Sequence, residues 1–182
     1  MHCFEELGYD ETTTAVIAKR AGIAVGTLYG YFQNKGDILA EVVEQTLGEV
    51  TELIVESLEP AVNRTRDPRE VVRSLIDTIF HIQTIRPGTQ RVIYERYFKD
   101  DAFRGVVEQR QDYTRKALVR FIESIDGSYG LRDVDPETAA WVIFNAVQWN
   151  ATQAMVTREH DPRAVDAAAN AAGDMIVRYL FE

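Results

Sequence analysis

The chain has 182 residues, 46% hydrophobic and 27% charged, the balance of a globular protein with one sizeable core or a core and a small lobe. A net charge of −9 argues against a surface coated in positive charge for indiscriminate nucleic-acid binding, yet it leaves room for a local basic surface. No apolar run reaches the roughly 20 residues needed to cross a bilayer, so no membrane partner is expected. The single cysteine, Cys3, excludes an internal disulfide framework and makes a reducing cytoplasm the expected compartment.

Apolar residues recur every three to four positions along nearly the whole chain, and no stretch sustains the alternation of a strand, which predicts an all-α fold. Phe4 and Leu7 suggest a short first helix stopping at Gly8. Thr12, Thr13 and Thr14 offer N-cap hydroxyls for a second helix, with Val16, Ile17 and Ala21 on its apolar face and Gly22 placed to cap its far end. Val25 to Phe32 then reads as a third helix. Two short helices joined by a glycine turn within about 20 residues have the spacing of a helix-turn-helix. From Thr12 to Lys35 the charged side chains are Lys19, Arg20 and Lys35, all positive, with acidic residues flanking the window on both sides.

A longer helix follows Asn34 and Lys35, with Ile38, Leu39, Val42, Val43, Leu47, Val50, Leu53, Ile54 and Leu58 on one face and Pro60 expected to end it. Asp67-Pro68 opens the next, whose stripe of Val72, Leu75, Ile76, Ile79 and Phe80 runs to a break at Arg86-Pro87-Gly88. A shorter aromatic helix is expected over 91–98, then a long one carrying Phe103, Val107, Leu118, Phe121, Ile122 and Ile125, broken by the glycine loop around Asp126 to Gly130. The helix from Pro136 to about Arg158 is apolar around much of its circumference, and the last, opened by Pro162, is rich in alanine. A helix apolar nearly all round must be covered on more than one side, and small residues let helices approach closely. The last two helices are therefore expected to form a homodimer face; the alternative is that both are central to one core.

Taken whole, the spacing of Gly8-Tyr9, Thr12-Thr13-Thr14, Ile17-Ala18, Ala21-Gly22, Ile23, Gly26-Thr27-Leu28-Tyr29, Tyr31-Phe32, Asn34-Lys35 and Ile38-Leu39 closely resembles the DNA-binding domain of the tetracycline-repressor (TetR) family. The resemblance covers about 30 residues of a signature that fixes many positions. It implies a helix-turn-helix DNA-binding domain over 1–45 and a larger helical effector-binding and dimerisation domain over 46–182. It also implies DNA-facing roles for Thr13 and Thr14 at a helix start, for Val25, Gly26 and Thr27 nearest the base edges, and for Tyr29, Tyr31 and Lys35 at phosphates. Phe32 reads as a core plug. Three departures stand out. Ala24 takes the place of a frequent serine, Gly30 that of a larger residue, and only Met1-His2-Cys3 precede Phe4, so either the true start lies upstream of this sequence or the first helix is truncated, and the chain as written is expected to bind DNA weakly.

The same resemblance implies a small-molecule effector among the helices of the larger domain. Candidate lining residues are aromatics mixed with single polar groups: Phe80, Tyr94, Tyr97, Phe98, Tyr113, Phe121, Trp141, Phe144, Asn145, Gln148 and Trp149, which suit a small, largely apolar or aromatic ligand. Asn145 and Gln148 are singled out because amides on an apolar helix need partners. His2, His81 and His160 have no metal-ligand spacing, and neither a metal nor a cofactor is expected. An enzyme is not expected either, since the chain has no nucleophile–base pairing and no phosphate-binding glycine loop. The leading expectation is a homodimeric, ligand-responsive repressor on a palindromic double-stranded operator. The alternative is a helical small-molecule-binding or adaptor protein of the same fold that has lost DNA binding.

Overall fold

The computed structural model describes residues 2–85, 87–157 and 161–182. Met1, Arg86, Arg158 and His160, each drawn on in reading the sequence, lie outside the described residues. The described chain is helical: α1 (His2–Glu11), α2 (Thr14–Ala21), α3 (Val25–Tyr29), α4 (Lys35–Val62), α5 (Pro68–Ile85), α6 (Pro87–Tyr97), α7 (Asp101–Ser124), α8 (Pro136–Thr157) and α9 (Pro162–Leu180). A single 3-10 turn, Gly127–Tyr129, follows α7.

Four helix limits differ from the sequence expectation, each for a local reason. Helix α1 does not stop at Gly8: the glycine kinks it at φ 74°, and the chain resumes to Glu11, closed by the Thr12 amide on the Tyr9 carbonyl. Helix α3 ends at Tyr29 instead of Phe32, because the amides of Gly30 and Tyr31 tighten onto the carbonyls of Thr27 and Leu28, three residues back. Helix α4 passes through Pro60 to Val62, and its terminator is Arg64, which adopts a left-handed φ of 57°. The Thr65 amide then reaches back to the Pro60 carbonyl at 2.8 Å and the Arg64 amide to Ala61, so the end is closed by a Schellman turn that happens to carry an arginine. Helix α6 starts at Pro87, four residues earlier than expected, since its first-turn amides find a carboxylate cap described below.

The described residues form two compact units. The first comprises 1–49 and 86–110, the second 50–85 and 111–182. The first unit thus takes in α6 and the start of α7 in addition to the amino-terminal helices. Its core joins Phe4, Ala18, Leu28, Ile38, Leu39 and Val43 to Val92, Ile93, Phe103 and Val107, with Ile17 and Phe32 packed at its edge. Cys3 is buried and unpaired to any other cysteine.

In the second unit the apolar faces of α5, α7, α8 and α9 meet around Leu75, Ile76, Phe80, Phe121, Ile122, Ile143, Val147, Ile176 and Leu180. Burying side chains of this size stabilises a fold by about 1.5–3 kcal/mol each. The carboxyl end is tied in by Phe181, whose ring lies under the Arg69 guanidinium at 4.7 Å and whose carbonyl accepts from Arg132 Nε at 2.9 Å. Among the described residues no helix is long and apolar enough to cross a membrane.

Candidate nucleic-acid interface

The start of α2 is set by Thr13. Its extended backbone (φ −115°, ψ 156°) and its hydroxyl, which accepts the Val16 amide at 3.2 Å, make it the N-cap. Gly22 ends the helix in the left-handed region (φ 70°, ψ 25°), and the Ile23 amide returns to the Ala18 carbonyl at 3.1 Å. That turn redirects the chain into α3. Ala24, at the N-cap of α3, offers no side-chain bond, as its departure from the family pattern implies. Of the five residues of α3 only Leu28 is buried, and it anchors the helix on Ala18, which is fully enclosed.

Everything else on α3 is open. Val25, Gly26, Thr27, Tyr29, Gly30 and Tyr31 are all exposed, Tyr31 by 80% and Tyr29 by 53%. Nothing lies within 4 Å of the space a Cβ would take at Gly26, so backbone there is free to approach a partner closely. The phenol of Tyr29 meets the Thr14 hydroxyl at 3.1 Å, which joins the end of α3 to the first turn of α2. The structure thus gathers Thr13, Thr14, Val25, Gly26, Thr27, Tyr29 and Tyr31 on one small unit, with an amide-bearing helix start beside exposed hydroxyls. Such a surface suits phosphate oxygens flanking a reading helix.

The three cations of the window are placed differently. Lys19 is exposed. Arg20 is bonded to Glu6 at 2.7 Å, and that hydrogen bond holds the Glu6 carboxyl below its ordinary value. Lys35 is half-buried and points inward. Its ammonium donates to the carbonyls of Tyr9 (2.7 Å), Thr12 (2.9 Å) and Asp10 (3.1 Å) and stands 4.4 Å above the Tyr9 ring. Its free end is therefore not directed outward in the way a phosphate contact would need.

Four supporting residues take roles that the sequence did not assign them, Thr12 among them, whose hydroxyl turns inward and leaves the N-cap of α2 to Thr13. Asn34 caps α4 through Gly36 and Asp37 amides at 2.7 and 3.1 Å, while Asp37 reaches back to the Gln33 amide at 3.0 Å. The Asn-x-x-Asp spacing was a legible variant of the capping box. Thr12 is wholly buried, its hydroxyl aimed at the carbonyls of Gly8 (2.6 Å) and Cys3 (3.1 Å). Arg96 of α6 lies 4.2 Å over the Tyr9 ring, for which no local pattern exists.

The candidate effector residues are distributed over both units. Phe80 and Phe121 are enclosed in the second unit's core. Tyr94, Tyr97 and Phe98 belong to the first unit, where Tyr97 bonds Glu108 at 3.0 Å and Phe98 is 76% exposed. Tyr113, Trp141 and Trp149 are exposed, whereas Phe144 and Gln148 are half-buried. Asn145 satisfies its amide on its own helix, at the Trp141 carbonyl 2.8 Å away, so the need for an external partner that singled it out is met locally.

Residues 1–42 match the model of the bacterial regulatory proteins, tetR family. The HTH-type transcriptional regulator YhgD of Bacillus subtilis (strain 168) is 29% identical over 146 residues, 77% of this chain and 72% of that protein. The fatty acid metabolism regulator protein of the same organism is 42% identical over 53 residues, 29% of this chain and only 27% of that protein. Among solved structures, a protein of Mesorhizobium loti MAFF303099 assigned to the TetR-family transcriptional regulators has a TM-score of 0.84 at 18% identity, covering 100% of this chain and 92% of its own. FadR of Bacillus subtilis in complex with stearoyl-CoA has a TM-score of 0.69 at 20% identity, covering 97% and 92%. At these identities the two structures speak for the fold.

Helices α2 and α3, joined by the Gly22 turn, form a helix-turn-helix inside the stretch that matches that family model. Over that stretch the chain is similar to the DNA-binding domain of the tetR family of bacterial regulatory proteins, and the fold of the whole chain is that of TetR-type structures.

Proposed function

We propose that this chain is a ligand-responsive repressor that acts in the cytoplasm and binds a palindromic operator as a homodimer. Reading would fall to residues 1–45, and effector binding and dimerisation to 46–182. The observation that carries the proposal is the exposed surface from Val25 to Tyr31 standing beside the capped start of α2, with hydroxyls and amides where phosphates would lie. Val25 and the Thr27 methyl are suited to thymine methyl groups in a major groove. Dimerisation is supported by α8 and α9. Each buries one face in the core, and on their other faces they expose Trp141, Val142, Trp149, Met175 and Tyr179. A small, largely apolar or aromatic effector accords with the aromatic composition of the second unit and with the acyl-CoA held by the B. subtilis structure of the same fold. By linkage, an effector that prefers the non-binding arrangement lowers DNA affinity, and DNA lowers effector affinity by the same factor.

The test is a binding titration against duplexes tiling the region upstream of the chain's own gene, repeated across a salt series. Specific binding that weakens steeply with salt is expected. An absence of binding at low salt would instead favour the helical adaptor or small-molecule binder that kept the fold without DNA recognition.

A further inference from the structure

We infer that Lys35 serves DNA binding as a positioning residue and not as a phosphate contact. An ammonium has three N–H groups, and here three carbonyls stand within 3.1 Å of it. Those carbonyls belong to Tyr9, Asp10 and Thr12, which close α1 and lead into the N-cap of α2. They lie at the negative end of α1, where a cation is favoured, and the Tyr9 carbonyl takes the Thr12 amide as well as the ammonium. The Tyr9 ring adds a fourth side to the cage: Lys35 stands 4.4 Å and Arg96 4.2 Å from its centre, and it stacks on the buried Phe4 ring. For a phosphate to take the ammonium, three charge-assisted hydrogen bonds would be exchanged for one contact. The exchange is unfavourable.

The consequence for DNA binding is geometric. Lys35 is the first residue of α4, six positions beyond Tyr29, and its bond to the Thr12 carbonyl grips the residue next to Thr13. It therefore pins the amide-bearing start of α2 against the chain emerging from α3. The surface formed by Thr13, Thr14, Tyr29 and Tyr31 is held in register from behind. Positive charge at this position is needed for the carbonyl cage, and the DNA meets its result.

The inference rests on the DNA-binding reading, and its test keeps the two apart. Binding of unmodified chain and K35M to the upstream duplexes is measured across a salt series. A positioning role predicts that K35M loses about ten- to a hundredfold in affinity while the slope of log K against log salt stays that of the unmodified chain. A phosphate contact predicts a slope shallower by about 0.9, and that result overturns the inference. Should K35M fail to fold, reductive methylation of the unmodified chain decides: Lys35 is expected to react far more slowly than the exposed Lys19, with or without DNA. Methylation of Lys35 as fast as Lys19, suppressed only when DNA is added, overturns it equally. If the unmodified chain binds no duplex at low salt, the DNA-binding reading fails, and slow methylation of Lys35 in the free chain still reports the cage.

Discussion

The carboxylate of Glu5 in α1 accepts the amide proton of Gly88 in the first turn of α6 at 2.9 Å, across 83 residues of chain. The same carboxylate takes the Thr89 amide and hydroxyl, so an anion from one helix caps the positive end of another. Close approach is part of the arrangement: a Cβ added at Gly88 would run into the Glu5 carbonyl oxygen, a backbone atom that cannot swing aside. Glu5→Ala is expected to destabilise the first unit by about 1–2 kcal/mol, the cost of a lost N-cap with charge. Gly88→Ala should cost about 1–3 kcal/mol through overpacking alone, with the carboxylate intact. Thermal unfolding of the two variants checks both, and a Gly88→Ala protein as stable as the parent would show that α1 and α6 do not lie this close.

The contrast between that cap and the helix-turn-helix explains what the sequence could and could not reveal. Thr13, Gly22 and Leu28 act within ten residues of their partners, through hydroxyl capping, left-handed backbone and helical period, and each was legible. Glu5, Arg96 and the inward turn of Lys35 depend on contacts dozens of residues away. A lysine at a helix start can be placed from sequence, but the direction of its four-carbon stem is decided by what surrounds it. Arg64 and Pro60 make a related point. The proline lacks an amide but keeps a carbonyl, and that carbonyl closes the helix end two residues beyond the expected stop.

Gly30 and Tyr31 test whether the open side of α3 meets DNA. Gly30 has an ordinary helical backbone (φ −70°, ψ −21°) and is exposed, so a side chain there needs only slight adjustment against the Thr27 carbonyl at 3.2 Å. Gly30→Arg is expected to raise operator affinity and to steepen the salt slope by about 0.9, as one added phosphate partner would. Tyr31→Phe removes a phenol that is 80% exposed, and should weaken binding by about 1 kcal/mol with no change in unfolding temperature. Fluorescence anisotropy on duplex DNA measures both; an arginine at position 30 that gains nothing on any duplex would place this face outside the groove.

His81 gives the second unit a pH-dependent link. Its Nδ1 lies 2.8 Å from the Asp77 carbonyl oxygen and its Nε2 3.2 Å from the Asp166 carboxylate, so α5 and α9 are bridged best by a doubly protonated ring. The Asp77 carbonyl raises the imidazole above its ordinary 6.5, helped by the charges of Asp77 and Asp166 and opposed by burial. A raised folded value means that the contribution is fully present below the unfolded value and is lost as pH rises through the folded one. Because the ring is half exposed, the gain is at most about 0.5–1 kcal/mol. Denaturant midpoints on the acid side of this transition should exceed those on its alkaline side, and His81→Gln should erase that difference. A parent curve flat through neutral pH would remove the bridge from the account.

Trp141 and Trp149 lie two helical turns apart on α8, 58% and 60% exposed, with Asn145 between them on the same stripe. Two uncovered indoles on one stripe leave a large apolar surface in water unless a second chain covers it. Aromatic anchors at the centre of an interface commonly contribute about 2 kcal/mol or more each, roughly thirtyfold in the dissociation constant. The variant Trp141→Lys with Trp149→Lys is therefore expected to shift the chain from dimer to monomer in sedimentation equilibrium at micromolar concentration. Neither indole belongs to the enclosed core, so the circular dichroism spectrum of the resulting monomer should stay helical. Operator binding should fall with the dimer, because a palindrome is read by two lobes held at one half-site spacing. A double variant that sediments like the parent and binds the operator as tightly would move the dimer face away from α8.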